Sequence, residues 1–408
     1  MIELQNLSKI GIGTYRMTIQ NDKHKETLEY AVDKGINLID TASNYIGGDS
    51  ERLVGDFVKK NGRDKIFIIT KAGYIHGNDI LKFSSHLKHK GCIKVDEGFY
   101  HSFHKSFLKK QINASLERLN VKYIDGFLIH NPEYYLKSQV VDIDLFYEAL
   151  KDSLLYLETL VDKGIIRYYG ISSNDFPTFK VDLRQILKNV EVLPNFRLLQ
   201  FPYNFIENQA VSSFEAESLI ELCKKHQIKA ISNRPLNTTY KGKVLRLADY
   251  SKDLKTVDFQ GEEPLFNNFI KLIMNRIKSF DPDAQPLDFF PLKLLIQNRT
   301  KLADPETVGK VINQYLAPFL KQLNIKENHQ IFDLLEKLNF YWCMYAKKQM
   351  TEDSKNLRKD LVLKKEILDE KNKNISLLAC EKYMEDGIEH VLMGLREKNY
   401  VDSIKKLI

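Results

Sequence analysis

The 408-residue chain carries 61 basic and 54 acidic residues, a formal charge of +7, and is 43% hydrophobic against 28% charged. That balance is ordinary for a globular enzyme; it excludes disordered and fibrous classes, and so small a positive excess argues against nucleic acid as a partner. No apolar run reaches the roughly 18 residues of a membrane helix and no basic-then-apolar leader opens the chain, so a cytoplasmic protein without a membrane partner is expected.

The first predicted strand is Lys9 to Tyr15, followed by a helix over 23–34 with Leu28, Ala31 and Val32 on one face. The run at 36–40 is a second, fully apolar strand that delivers Asp40, with Tyr45 five residues on. A helix over 50–60 begins with an acidic turn, and Lys65 to Lys71 is a third buried strand ending on a lysine. This alternation implies a parallel sheet. Residues 72–105 interrupt it with a segment far longer than an ordinary connection, holding His76, His86, His89, His101 and His104. Irregular spacing and the absence of a carboxylate or cysteine pair argue against a metal site, and a lid over the strand ends is expected. The cysteines, Cys92, Cys223, Cys343 and Cys380, show no paired spacing either, so neither a disulfide framework nor zinc is expected.

A helix over 106–119 leads to a fourth strand, Tyr123 to His130, and a helix over 143–163 leads to a fifth, Ile165 to Asn174. Helix 177–189, strand 196–203 with Gln200, helix 212–226 and strand 228–234 continue the pattern. The eighth strand, Val391 to Gly394, stands far downstream before a last helix at 398–408. Helical patterns occupy the excess between strands seven and eight, at 264–280, at 308–323 with a kink at Pro318, and at 330–347. The charged run 352–374 reads as a solvated helix or hairpin. The expected architecture is therefore an α/β protein, a (β/α)8 TIM barrel with a mainly helical insertion. Residues 1–236 form units one to seven, 237–374 the insertion and 375–408 unit eight. Chemistry in such a barrel belongs on the carboxyl-end loops.

Asp40, Tyr45, Lys71 and His130 fall on that rim. Each alone has a dull reading as a cap, a packing ring, a surface charge or a satisfied strand-end histidine; together they make a proton donor with its tuning groups. A lysine ammonium beside a phenol lowers the phenol's pKa, an aspartate holds the lysine charged, and a histidine orients a carbonyl. Side chains cannot supply a hydride, so a nicotinamide cofactor is implied.

These residues carry a resemblance to the aldo-keto reductases, through several linked motifs in order. They are Gly11-Ile12-Gly13-Thr14, Ile39-Asp40-Thr41-Ala42 with Tyr45 and Ser50-Glu51, Thr70-Lys71, and Leu128 to Glu133. Gly170-Ile171-Ser172-Ser173-Asn174, Gln200 with Tyr203-Asn204, and Val391 to Gly394 complete them. The resemblance implies Tyr45 as general acid, Lys71 and Asp40 as its tuning pair and His130 as the orienting group. It implies cofactor contacts at Gly13, Thr14, Asp40, Ser172, Ser173 or Asn174, and Gln200, with Tyr203 as the stacking ring. Arg234 would lie by the pyrophosphate, and Gly394, Arg396 and Lys398 by the adenosine phosphate, favouring NADPH over NADH. The implied activity is reduction of a small-molecule aldehyde or ketone, or its reverse. The alternative is a catalytically silent, cofactor-binding regulatory or scaffold subunit. The 72–105 segment and the insertion are expected to shape the pocket.

Overall fold

The computed structural model of the chain describes residues 1–138, 142–188, 190–213, 216–240, 243–325, 329–368, 370 and 373–408. Eight parallel strands close into a barrel: β1 (Ile10–Gly13), β2 (Leu38–Asp40), β3 (Phe67–Ala72), β4 (Ile124–His130), β5 (Ile166–Ser172), β6 (Phe196–Pro202), β7 (Lys229–Asn233) and β8 (His390–Met393). They follow one another round the barrel in chain order, with β8 closing against β1. The expected (β/α)8 barrel is what the chain forms.

Side chains on a strand alternate between its faces, and the inward faces here stack in layers. Leu38, Phe67, Ile69, Leu128, Leu198, Ile231 and Leu392 fill the interior, with Leu7 below them. Two residues beyond Leu38, Ile69, Leu128, Leu198 and Ile231, the same inward positions are Asp40, Lys71, His130, Gln200 and Asn233. Register places Gly13 beside Asp40, Lys71 beside Leu128, and Ser172 beside both His130 and Gln200. The apolar core thus gives way, one layer up, to a ring of polar groups. The opposite end is tied by Asp125, which pairs with both Arg63 and Arg167.

The 72–105 segment folds as a three-stranded antiparallel sheet, Tyr74–His76, Phe99–His101 and Ile93–Asp96, with Phe99–His101 in the centre. Gly73 is required where it leaves β3: a Cβ there would lie 2.3 Å from the His130 carbonyl oxygen.

Two compact units emerge, residues 1–238 with 376–408, and residues 239–375. The second unit has its own core, in which Phe266, Phe269, Ile273, Leu292, Leu338 and Trp342 are buried together. The Trp342 indole N–H donates to Glu262 at 2.9 Å, so its burial leaves no polar group unmet. Before Pro318 the helix opens into a π turn over Ile312–Leu316. Proline has no N–H to return to the fourth carbonyl before it, and the wider turn absorbs the fault.

Several expected boundaries move. Helix 177–189 shrinks to Leu183–Leu187, because Phe179 takes a left-handed conformation and Asp182 caps the helix just before Leu183. Helix 212–226 begins only at Leu219, where Ser218 and Glu221 form a capping box. Residues 189, 214 and 215 of those two expectations, and 369, 371 and 372 of the charged run, lie outside the described residues. The charged run is not simply solvated. It continues the preceding pattern as one 35-residue helix, His329–Leu363, burying Met350, Ser354, Leu357 and Leu361 along one stripe. The Ser354 and Thr351 hydroxyls there accept the backbone N–H groups of Ala248 and Tyr250 at 3.0 Å. Two short strands, Asn237–Tyr240 and Lys243–Arg246, and the helix Phe290–Asn298 were not anticipated.

Candidate active site

The polar ring at the barrel mouth is wired through Asp40. Lys71 is fully buried and its ammonium donates to Asp40 Oδ1 at 2.6 Å and to the Thr41 carbonyl at 2.9 Å. The Gln200 amide donates to the same Asp40 oxygen at 2.7 Å, and the Ser172 hydroxyl donates to Gln200 Oε1 at 2.9 Å. One continuous chain of bonds therefore crosses the interior from β5 through β6 and β2 to β3. A buried ion pair of this kind is strongly destabilising to break, by about 3–5 kcal/mol, because the survivor is left as an uncompensated charge.

Tyr45 enters from the turn after β2. Ile46 (φ 47°) and Gly47 (φ 61°) follow it in left-handed conformations, a state a β-branched residue rarely adopts. That strain, on the order of 1–3 kcal/mol, brings the Tyr45 ring under the Lys71 ammonium, 5.1 Å from its centroid, and 6.1 Å from the His130 ring. Asn131, just after His130, and Arg234, just after β7, are also left-handed. Backbone outliers thus mark three strand ends of the mouth.

His130 is held on all sides. Its carbonyl accepts the His101 Nε2–H at 2.7 Å, which fixes the proton of His101 on Nε2. Its ring meets Tyr74 edge-on at 4.7 Å, and Tyr74 in turn stacks on Phe99 at 5.5 Å, with Tyr134 closing the group. Tyr15, 60% exposed, sits edge-on to Tyr45 at 5.0 Å. The wall round the candidate catalytic groups is therefore aromatic.

The sequence profile of the aldo/keto reductase family matches residues 9–303. The chain belongs to the aldo/keto reductase family. An uncharacterized oxidoreductase of Bacillus subtilis, YqkF, is 25% identical over 232 residues, 57% of this chain and 61% of its own length. The NADH-specific methylglyoxal reductase of Escherichia coli is 26% identical over 241 residues, 56% of this chain and 64% of its own. The chain thus aligns with less than two thirds of either relative. Among solved structures, the glycerol dehydrogenase of Gluconobacter oxydans superposes with a TM-score of 0.52 at 18% identity, covering 98% of this chain and 86% of that one. At that identity it bears on the fold alone.

For an aldo/keto reductase the electrostatics differ from the expectation in one respect. The Tyr45 phenol is not lowered: burial, reinforced by the Asp40 carboxylate, pushes it well above the ordinary tyrosine range. Lys71 gives its charge to Asp40 at contact distance, so little of its field is left to favour a phenolate. Burial likewise pushes Asp40 up and Lys71 down, each resisted by the other. Burial, with Lys71 and His101 nearby, pushes His130 far below the usual imidazole range, so it is neutral, with a buried Nδ1 that has no partner.

The expected cofactor residues separate into groups. Ser172, Ser173, Asn174 and Gln200 lie together at the β5 and β6 tips, where Glu133 accepts the Asn174 N–H at 3.0 Å. Arg234 bridges Asn174 (3.1 Å) and Glu207 (3.2 Å). Lys398 pairs with Glu26 at 2.9 Å at the surface, and the Arg396 carbonyl accepts from Thr27. A Cβ on Gly394 would meet nothing within 4 Å, and one on Gly13 only the Met393 carbonyl at 3.8 Å and Leu392. Two expectations fit the geometry poorly. Tyr203 is 1% exposed, packed edge-on against Tyr383, with its hydroxyl donating to Asp386 at 2.8 Å, which leaves no open face to stack on. Thr14 is fully buried and its hydroxyl donates to the Asp40 carbonyl at 3.0 Å, so it holds β1 to β2.

Sequence reasoning missed Tyr74, Phe99, Tyr134, His101 as a support, and the strained Ile46. For Tyr74, Phe99 and His101 the only signal was the excess length and histidines of 72–105; Tyr134 and Ile46, outside that segment, carried none. His86, His89 and His104 do stack together, with ring centroids 4.2–6.2 Å apart. Among the described residues, though, no group of three or more His, Cys, Asp or Glu is placed to hold a metal ion.

Proposed function

We propose that this chain reduces an aldehyde or ketone to the alcohol, or runs the reverse oxidation, with NADPH as hydride source and Tyr45 as proton donor. The reading is supported above all by the convergence of Tyr45, Lys71, Asp40 and His130 at the end of one barrel. A nicotinamide cofactor fits the residues present. Buried polar atoms without a partner cluster at the strand tips, namely Thr41 Oγ1, Asn44 Oδ1, Ser232 Oγ and Asn233 Oδ1, and Gly13 and Gly394 leave room beside them. Bound there, NADPH supplies the two-electron hydride that the side chains lack.

Ser172, Ser173 or Asn174, and Gln200 would hold the carboxamide end. Arg234 would meet the pyrophosphate, and Arg396 and Lys398 the adenosine phosphate, which favours NADPH, although the relative from Escherichia coli is NADH-specific by name. His130, kept neutral by burial, would donate or orient toward the substrate oxygen. Tyr45, kept protonated by its high pKa, holds its proton until charge develops on that oxygen. Asp40 keeps Lys71 charged and in place, and the part of the Lys71 field that Asp40 does not cancel offsets some of the cost of the tyrosinate left behind. Tyr15, Tyr74, Phe99 and Tyr134 would favour a substrate with a flat, apolar body.

The experiment is NADPH oxidation by the purified chain with a panel of aromatic, aliphatic and sugar aldehydes, alongside NADPH binding by fluorescence. Carbonyl-dependent oxidation, fastest with aromatic members, supports the reading. Tight binding with no oxidation across the panel would replace it with the silent cofactor-binding subunit.

A further inference from the structure

Behind the Asp40–Lys71 pair lies a second buried ion pair that the chemistry above does not use. Glu51 is fully buried in the helix Asp49–Asn61, which follows the Tyr45 turn. Its Oε1 accepts the Thr70 hydroxyl at 2.6 Å, one residue before Lys71, and its Oε2 accepts Arg118 Nε at 2.5 Å from the helix Lys105–Leu119. Arg118 also donates to Ser115 at 3.2 Å. Its side chain lies over Gly48, the last residue of the strained turn: a Cβ on Gly48 would be 2.7 Å from Arg118 Cδ. The turn that aims Tyr45 is thus pressed from behind by a side chain that Glu51 holds in place.

We propose that Glu51 and Arg118 form a positioning pair for the candidate reaction, locking the Tyr45–Gly48 turn and, through the Glu51 charge, helping to keep Lys71 protonated. This rests on the roles given to Tyr45 and Lys71 under Proposed function. The titratable groups round Lys71 are Asp40 on β2, Glu51 on the helix behind β3, and His130 on β4, of which His130 is neutral. Those round Glu51 are Arg118 and Lys71. Tyr45 faces Asp40, Tyr15 and Tyr74 as well as Lys71. Removing the Glu51 charge weakens the hold on the Lys71 proton. Removing the Arg118 charge, while keeping an aliphatic stem over Gly48, strengthens it. The two substitutions therefore act on one titration with opposite sign, which loss of packing alone would not produce.

The test compares wild type, Glu51→Gln and Arg118→Met by the pH profile of kcat/KM, by NADPH affinity, and by hydrogen exchange of the unliganded chain. Glu51→Gln is expected to move the alkaline limb down by about half a pH unit, and Arg118→Met to move it up by a similar amount. Both should raise exchange over residues 43–50 about tenfold, leave β5 to β7 unchanged and keep NADPH affinity within about threefold. Alkaline limbs that superpose, or shift the same way, overturn the proposal. Should either variant fail to fold, the other carries the test by the direction in which its alkaline limb moves. If wild type oxidises no NADPH, Proposed function falls, and the exchange arm decides the clamp alone: unchanged protection over 43–50 overturns it.

Discussion

The two sides of the barrel mouth are built on different terms. On the β2–β3–β4 side Asp40, Lys71 and His130 are buried and tied down, Lys71 to Asp40, Asp40 to Gln200, and the His130 backbone to His101. On the β7–β8 side the cationic groups stand at the surface, Arg234 shared between Asn174 and Glu207, and Lys398 with Glu26. The first side is fixed before any ligand arrives. The second holds its cations in weak, screened pairs that a phosphate can displace. Substitutions should therefore have large effects on one side and small ones on the other.

The largest effect belongs to Tyr45. Tyr45→Phe keeps the ring under Lys71 and removes only the proton donor. We expect kcat to fall by about 10²–10⁴-fold, the usual range for a general acid, with NADPH affinity nearly unchanged. Retained turnover would show that another group delivers the proton. Asp40→Asn comes next. It leaves the Lys71 ammonium buried without its counter-charge, so denaturant unfolding should show a loss of about 3–5 kcal/mol. A loss under about 1 kcal/mol would place this pair with the surface pairs of the other side and erase the contrast.

His101 gives the buried side a pH signature. Burial pushes its imidazole down to about 4, although the bond to the His130 carbonyl resists. The unfolded chain binds this proton with a pKa near 6.5, so between 6.5 and 4 it takes up more protons than the fold does. Stability is accordingly intact above about 6.5 and lost as pH falls through that window, by about 3 kcal/mol below its lower end. His101→Gln keeps a donor for His130 without titrating. The difference in urea midpoint between wild type and this variant should therefore move in the variant's favour from pH 7 to pH 4.5. Parallel curves would show that His101 opens to solvent before it charges.

The same contrast decides what was legible in the sequence. Asp40, Lys71 and His130 were readable because each ends a continuous apolar run, and strand periodicity alone carries such a residue to the layer above the core. The barrel was readable for the same reason, repeated eight times. Tertiary packing was not. Nothing in Tyr203 distinguishes an open ring from one closed by Tyr383 and Asp386, residues 180 and more positions away. The direction of the phenol shift was misjudged because the Lys71 charge is readable in the sequence and burial, the larger effect, is not. Tyr74 and Phe99 of the aromatic wall came from a segment whose strands alternate too briefly to register, and Tyr15 and Tyr134 from connections with no periodicity. In the long helix, the excess of charge hid a stripe of Met350, Ser354, Leu357 and Leu361 that shows itself only when the run is read at helical period.

The smallest effect is on the exposed side and separates the two cofactors. Lys398 and Glu26 are both half-exposed or more, and their 2.9 Å pair contributes little to the fold. If Lys398 meets the adenosine phosphate, Lys398→Ala should weaken NADPH by about three- to tenfold and leave NADH unmoved, because only NADPH carries that extra charge. Glu26→Gln should act the other way, tightening NADPH by about twofold, since it frees Lys398 from a competing carboxylate. Both shifts should shrink with added salt, unlike the Tyr45 and Asp40 effects, because screening reaches exposed charges and not buried ones. Equal responses of NADPH and NADH in a binding titration would take Lys398 out of the phosphate grip and leave cofactor choice to Arg396.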